Sequence, residues 1–153
     1  MKVLLPTDGS KEALAALRYA LSFTSNFVSP SSFDLVTVYD KVSPSLLMSD
    51  MNIDCIDDAL ERQSQADQES SIRHLRDAGV NYHASVLKGP VVRTLLDHIK
   101  KTDPDLVIMG VKGRGVLGDL LMGSVARAIS AESVKPVLLI DPKKLPKNPE
   151  SNQ

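Results

Sequence analysis

Short apolar runs alternate with longer stretches of helical periodicity along this chain, and this alternation constrains the fold more than any other feature. The runs at 3–5, 106–109 and 137–140 contain no polar residue, which is typical of strands covered on both faces of a parallel sheet. Residues 35–39 and 80–87 predict a second and a third strand, the latter nearer a sheet edge because apolar and polar residues alternate in it. The sequence therefore predicts a single-domain α/β fold, a doubly wound five-stranded parallel sheet with helices on both faces.

Four helices are predicted between these strands, and several of their ends carry clear signals. Ser10 suits the N-cap of the first helix, Pro90 suits the first position of the third, and Asp103 ends that helix because a proline follows it. A long irregular connection at 40–56 precedes the second helix. The helices are expected at about 10–27, 57–78, 90–103 and 124–133. The apolar stripe of the second helix is thin and comprises Ile56, Ala59, Leu60, Ala66, Ile72 and Leu75.

Composition excludes several classes of protein. With 153 residues, 42% of them hydrophobic and 24% charged, the chain can bury a core, which excludes a wholly disordered chain, a collagen and a membrane bundle. Lys and Arg total 18 and Asp and Glu total 19, so the basic excess of a duplex nucleic-acid binder is missing. The lone Cys55 cannot form an intramolecular disulfide, and residues 1–8 do not form a signal peptide. We therefore expect a cytoplasmic protein without membrane or nucleic-acid partners.

A glycine-rich segment directly after the fourth strand carries the strongest functional signal. Four glycines stand at 110–118, and Gly123-Ser124 follows at the start of a helix. Glycine lets a backbone approach a ligand closely, and a helix N-terminus offers unpaired amides and partial positive charge to a phosphate. Lys112 and Arg114 add mobile positive charge. The pattern predicts an anion site.

Two familiar phosphate-binding motifs can be compared with this segment. A P-loop ends in Gly-Lys-Ser/Thr, but here Met122 precedes the Gly-Ser pair and that lysine is missing, so a P-loop is rejected. Gly113, Gly115 and Gly118 match the dinucleotide-binding spacing, with Asp141 after the next strand. This alternative stays open, although no second nucleotide-binding half and no catalytic domain follow it.

The turn after the first strand is the second candidate region. In open α/β sheets, ligands bind at the carboxyl ends of strands where the strand order reverses. If the first and fourth strands are neighbours, Asp8 and Gly110 meet in that crevice. Asp8 would then accept a hydrogen bond from a ligand amine or hydroxyl; its other interpretation is a turn or helix-capping acid.

Over about residues 2–141 the chain resembles the universal stress protein family. The most specific element is the family's nucleotide motif Gly-x2-Gly-x9-Gly-Ser/Thr, present here as Gly110, Gly113, Gly123 and Ser124. The resemblance implies the strand order 3-2-1-4-5, with ATP, alone or with Mg²⁺, between the first and fourth strands. The cofactor-binding residues expected from the motifs and the resemblance are Pro6, Thr7, Asp8, Val38, Met109, Gly110, Lys112, Gly113, Arg114, Gly123, Ser124 and Val125.

The resemblance also implies roles for these residues. Asp8 and Val38 would contact the adenine and its surroundings, and residues 123–125 would hold phosphate with amides and a hydroxyl. Gly110 and Gly113 would line the ribose and phosphates. We expect Gly113→Val to abolish nucleotide binding because a side chain would intrude on ligand space. We expect Asp8→Ala to weaken discrimination for adenine over guanine.

The implied function is that of an ATP-binding stress-response protein acting as a nucleotide-dependent regulatory or binding module. Similar proteins pair through the last strand, so a homodimer is expected through Val137, Leu138, Leu139 and Ile140. Ala126 departs from the family because some relatives carry a further hydroxyl there. Residues 1–141 are expected to form the nucleotide-binding domain, and residues 142–153 a flexible tail without core residues.

Two other functions remain open on the sequence. One is a slow ATPase or nucleotide-dependent transferase, although the sequence offers no evident catalytic base, so no catalytic residue is assigned. The other is a ligand-free dimeric interaction protein that keeps the fold. No metal site is predicted, because metal-ligand spacing is missing among Cys55, His74, His83 and His98.

Overall fold

The computed structural model describes residues 1–26, 31–40, 53–113 and 122–145, with 53–55 described for the backbone alone. Within them lies a five-stranded sheet of parallel strands in the order 3-2-1-4-5, which confirms the expected fold. The strands are β1 (Lys2–Pro6), β2 (Ser32–Tyr39), β3 (Asn81–Lys88), β4 (Leu106–Gly110) and β5 (Val137–Ile140). The helices are α1 (Lys11–Thr24), α2 (Ile53–Asp77), α3 (Val91–Thr102) and α4 (Ser124–Glu132).

Helices cover both faces of the sheet, as predicted, and each face has its own hydrophobic core. Helices α1 and α2 cover one face, and α3 and α4 cover the other, because right-handed crossovers divide the helices where the strand order reverses. The first core contains Val3, Leu5, Ala16, Leu17, Ala20, Phe33, Leu35, Leu75, Ile108 and Ile140. The second core contains Leu4, Val36, Leu95, Ile99, Val107, Met109, Ala126 and Ile129.

The central strand β1 determines where a ligand can enter. It pairs with β2 along its whole length and with β4 through Val3 and Leu4. Since all pairs are parallel, the carboxyl ends of β1 and β4 open at the same edge of the sheet. The strand order reverses between these two strands, which makes this edge the switch point of the sheet.

Helix α2 differs from its prediction in both length and buried face. It begins at Ile53 rather than near residue 57. Among the side chains described for this helix, from residue 56 onward, the buried ones are Ser64, Gln68, Ser71 and Leu75. Ala59 and Ala66, which were expected in the apolar stripe, are exposed. The buried face is polar because small serines fit close to the sheet, and Gln68 Nε2 donates a 2.6 Å hydrogen bond to a strand carbonyl.

Two helix ends also differ from their predictions. Helix α1 ends at Thr24, whose hydroxyl donates to the Ala20 carbonyl at 2.8 Å; residue 27 lies outside the described residues. Pro90 is the N-cap of α3 rather than its first helical residue. Asp103 ends α3 as expected, in a left-handed conformation with φ 48°.

The described residues directly after β5 turn and pack against the protein. Pro142–Lys144 forms one 3₁₀ turn, and the Asp141 side chain caps it by accepting from the Lys143 amide at 3.0 Å. Leu145 packs against the first core, so the expectation of a tail without core residues is wrong at this position. The domain division after residue 141 stays a prediction. Among the helices that the structure describes, none is long and apolar enough to cross a bilayer.

Candidate functional site

A pocket of about 150 Å³ opens at the carboxyl ends of β1 and β4. It contains every predicted site residue except Arg114, which lies outside the described residues. The lining residues are Pro6, Thr7, Asp8, Ala13, Val36, Val38, Val91, Leu95, Met109, Gly110, Lys112, Gly113, Gly123, Ser124, Val125 and Ala126. Their role in binding stays a prediction.

The β1 side of the pocket is a tight turn held by its own side chains. Thr7 Oγ1 accepts a hydrogen bond from the Gly9 amide at 3.2 Å, and Asp8 Oδ1 accepts one from the Ser10 amide at 3.0 Å. Ser10 Oγ accepts from the Ala13 amide at 3.2 Å, which confirms Ser10 as the N-cap of α1. Asp8 therefore stabilises the turn through one carboxylate oxygen and also lines the pocket.

The opposite side of the pocket is the N-terminus of α4. Gly123 caps this helix, and the first intrahelical bond runs from the Arg127 amide to the Gly123 carbonyl at 3.0 Å. The amides of Ser124, Val125 and Ala126 therefore have no acceptor within the helix. All three residues line the pocket, where these amides and the helix dipole suit an anion.

One residue connects the start of α4 with the sheet. The Gly123 amide donates to the Val111 carbonyl at 2.9 Å, and the Val111 amide donates to the Ile140 carbonyl at 2.9 Å. The start of α4 is therefore held to Val111, the residue directly after β4, and through it to β5.

The remaining wall is apolar, and sequence reasoning missed most of it. Val36 and Val38 of β2, Val91 and Leu95 of α3, and Met109 of β4 line it. The sequence spacing could have identified these residues. Val36 stands two residues before Val38, so both side chains lie on the same face of the strand. Val91 and Leu95 stand four apart on the predicted core face of a helix.

The three motif glycines have different surroundings. A Cβ atom at Gly110 would lie 3.0 Å from both the backbone carbonyl carbon of Glu12 and the Lys112 carbonyl oxygen, so a side chain there would press on the backbone of α1. A Cβ at Gly113 would lie 2.5 Å from Asp8 Oδ2, so the nearest obstacle is this carboxylate. A Cβ at Gly123 would have only ordinary contacts of 3.5–3.7 Å with the protein.

Ionisable groups with displaced pKa values lie outside the pocket. Partial burial raises the pKa of the Tyr39 hydroxyl, and a 2.6 Å hydrogen bond to Asp57 raises the pKa of Lys88. A hydrogen bond from Lys135 lowers the pKa of Asp103. Since none of these groups lines the pocket, they do not supply acid–base chemistry there.

The histidines lie away from the pocket, and two of them approach a buried carboxylate, Asp34, that the sequence did not indicate. His98 Nε2 lies 2.8 Å from Asp34 Oδ2, and their side chains are 13% and 7% exposed. His83 Nδ1 lies 3.5 Å from Asp34 Oδ1, but its side chain is 77% exposed. Sequence reasoning missed Asp34 because the second strand, predicted from residue 35, begins at Ser32. Among the described residues, no group of three or more potential ligands could hold a metal ion.

Comparison with known proteins identifies relatives over most of the chain. The model of the Universal stress protein family matches residues 1–141. Universal stress protein MJ0531 of Methanocaldococcus jannaschii is 29% identical over 145 residues, which cover 94% of this chain and 84% of that protein. The structure of a hypothetical protein, MJ0577, has a TM-score of 0.78 with 24% identity, covering 91% of this chain and 94% of that one.

Two similar structures were solved with a nucleotide. A universal stress protein in complex with cAMP has a TM-score of 0.66 and 21% identity, covering 92% of this chain and 97% of that one. A universal stress protein family protein from Arabidopsis thaliana, with AMP bound, has a TM-score of 0.67 and 18% identity, covering 97% of both chains. At such identities the likeness shows that the fold is shared.

Proposed function

Because the chain belongs to the universal stress protein family, we propose that its pocket binds an adenine nucleotide. The observation that carries the proposal is the pocket's two-sided chemistry: an apolar wall stands on one side and the N-terminus of α4 on the other. A nucleotide has the same two parts, a base that prefers apolar contact and phosphates that prefer amides and positive charge. The cAMP and AMP held by two similar proteins support the same ligand class.

The residues suggest an orientation for the nucleotide. The base lies by the valines of β2 and α3, with Asp8 accepting from its amine or from a ribose hydroxyl. The phosphates lie at the amides of Ser124 and Val125, with the Ser124 hydroxyl and the Lys112 ammonium beside them. Ala126 contributes an amide but no hydroxyl. Gly110 would lie between the base and the phosphates.

We propose ATP as the nucleotide, because Lys112 and the α4 N-terminus together suit more than one phosphate. Asp8 is the one acidic side chain among the described residues that line the pocket. Mg²⁺ would therefore be held mainly by phosphate oxygens and water, as is common for this ion. Bound nucleotide would act by favouring one conformation or partner contact of a cytoplasmic module over another.

Isothermal titration calorimetry with ATP, ADP, AMP and GTP, with and without Mg²⁺, tests the proposal. We expect the adenine nucleotides to bind and GTP to bind more weakly. Mass spectrometry of the small molecules released from the purified protein by acid gives an independent readout. The proposed function would be refuted if no heat of binding were detected at millimolar nucleotide and no nucleotide co-purified with the protein.

We also propose a homodimer through β5. This strand lies at an edge of the sheet, and its apolar residues 137–139 are only partly buried. Nearby Val134 is 66% exposed. An unpaired apolar edge is a site for strand pairing with a second copy. Light scattering measured across the size-exclusion peak should give the mass of two chains. The mass of a single chain, both in a concentrated sample and after 100-fold dilution, would contradict the dimer.

A further inference from the structure

We propose that Gly113 acts as a positioning residue for Asp8, an inference that rests on the proposed nucleotide function. Its missing side chain leaves room for the Asp8 carboxylate, rather than for the ligand itself. The absence of a side chain at Gly113 then influences the nucleotide through Asp8.

The space around Gly113 supports this assignment. A Cβ atom there would lie 2.5 Å from Asp8 Oδ2 and 3.5 Å from Asp8 Cγ. Among the described atoms, those two are the contacts within 4 Å. The φ angle of Gly113 lies outside the positive range that favours glycine, so a left-handed backbone does not account for glycine there. Within the described part of the chain, the Asp8 carboxylate is therefore the obstacle to a side chain at position 113.

The second oxygen of the carboxylate fixes Asp8 from the other side. Asp8 Oδ1 accepts from the Ser10 amide at 3.0 Å, and Ser10 is the N-cap of α1. The carboxylate thus lies between this amide and the Cα atom of Gly113. A methyl group at 113 would force the carboxylate to turn, and the hydrogen bond to Ser10 would be lost. Since the obstacle is the end of a short side chain, the fold should tolerate the substitution.

The other two motif glycines do not share this relationship. The obstacle at Gly110 is backbone of α1, which cannot turn aside. Gly123 has no close obstacle in the protein. Gly123→Ala is therefore the matched control, because it adds the same methyl group to the same pocket and Asp8 is not among the residues nearest to that group.

A double-mutant cycle separates the direct from the indirect role. ATP and GTP affinities are measured by calorimetry for the wild type, Gly113→Ala, Asp8→Ala and the double variant. In the wild-type background, we expect Gly113→Ala to weaken ATP binding about tenfold, which is the scale of one hydrogen bond to a charged group. In a protein that already carries Asp8→Ala, the same substitution should weaken ATP binding less than about twofold. The ATP-to-GTP preference of Gly113→Ala should fall to that of Asp8→Ala. Gly123→Ala should weaken ATP binding by the same factor in both backgrounds.

Equal loss for Gly113→Ala in both backgrounds would overturn the inference, because Gly113 would then face the ligand directly. An unchanged affinity for Gly113→Ala in the wild type would also overturn it.

A readout without ligand keeps the inference testable if the wild type binds no nucleotide. Hydrogen exchange of the Ser10 amide, followed by NMR, reports its hydrogen bond to Asp8. We expect faster exchange in Gly113→Ala and in Asp8→Ala, and wild-type exchange in Gly123→Ala. Wild-type exchange of the Ser10 amide in Gly113→Ala would refute the displacement of Asp8, whatever the outcome for nucleotide binding.

Discussion

Replacement of His98 by alanine is expected to lower the free energy of unfolding by about 3 kcal/mol. The reason is Asp34, whose carboxylate is 7% exposed and lies 2.8 Å from His98 Nε2. Without the imidazole, a buried carboxylate loses its best hydrogen-bond donor, and leaving such a group unsatisfied costs more than the bond itself contributes. Equilibrium denaturation with urea, followed by circular dichroism, measures the change.

Two comparisons make this prediction specific to the buried pair. His83→Ala should change the free energy of unfolding by less than about 1 kcal/mol, because an exposed partner contributes little. The double variant Asp34→Val/His98→Leu should be more stable than His98→Ala, since both polar groups are then replaced by apolar ones. If His98→Ala and His83→Ala lowered the free energy of unfolding equally, the buried contact would contribute no more to stability than the exposed one.

The second large effect is expected for nucleotide binding in Gly123→Val. The backbone at Gly123 (φ −61°, ψ 149°) suits any residue, and an added Cβ has only ordinary contacts with the protein. The nearest of these atoms belong to residues 111–113, so the side chain would stand over the proposed phosphate site. We expect ATP affinity to fall at least about 100-fold, on the scale of losing the charge-assisted hydrogen bonds there. Calorimetry measures this loss.

Gly110→Ala is the matched contrast to that variant. Its methyl group would meet the Glu12 backbone at 3.0 Å, so we expect the free energy of unfolding to fall by about 1–3 kcal/mol. Gly123→Val should unfold at nearly the wild-type urea concentration. Wild-type ATP affinity in a folded Gly123→Val protein would mean that phosphates do not lie at the start of α4.

The order of elements was predictable because a doubly covered parallel strand has a strong sequence signature. The strands at 106–109 and 137–140 are continuous apolar runs, and the structure places strands there. The buried face of α2 was not predictable, because it consists largely of Ser64, Gln68 and Ser71. Hydrophobic periodicity does not register a face buried through small and hydrogen-bonded polar residues.

The candidate site divides in a similar way. Its glycines and Asp8 stand in short segments directly after strands, where sequence spacing gives their position. The apolar wall, with Val91 and Leu95, was indistinguishable from core because the same side chains serve both purposes. The partnership of Asp34 with His98 depends on a helix that lies across the sheet, and residues 64 positions apart show no local pattern.

The packing of Gly110 against α1 has a consequence for comparing sequences across this family. Selection for a stable architecture alone would preserve a glycine at that position, even in a descendant that had abandoned its ligand. A loss of glycine at 123, where the protein itself leaves space for a side chain, is the more informative change. Gain or loss of nucleotide recognition during evolution should therefore be traced through the last glycine of the motif. The first glycine is expected to persist for packing alone, whether or not a nucleotide is bound.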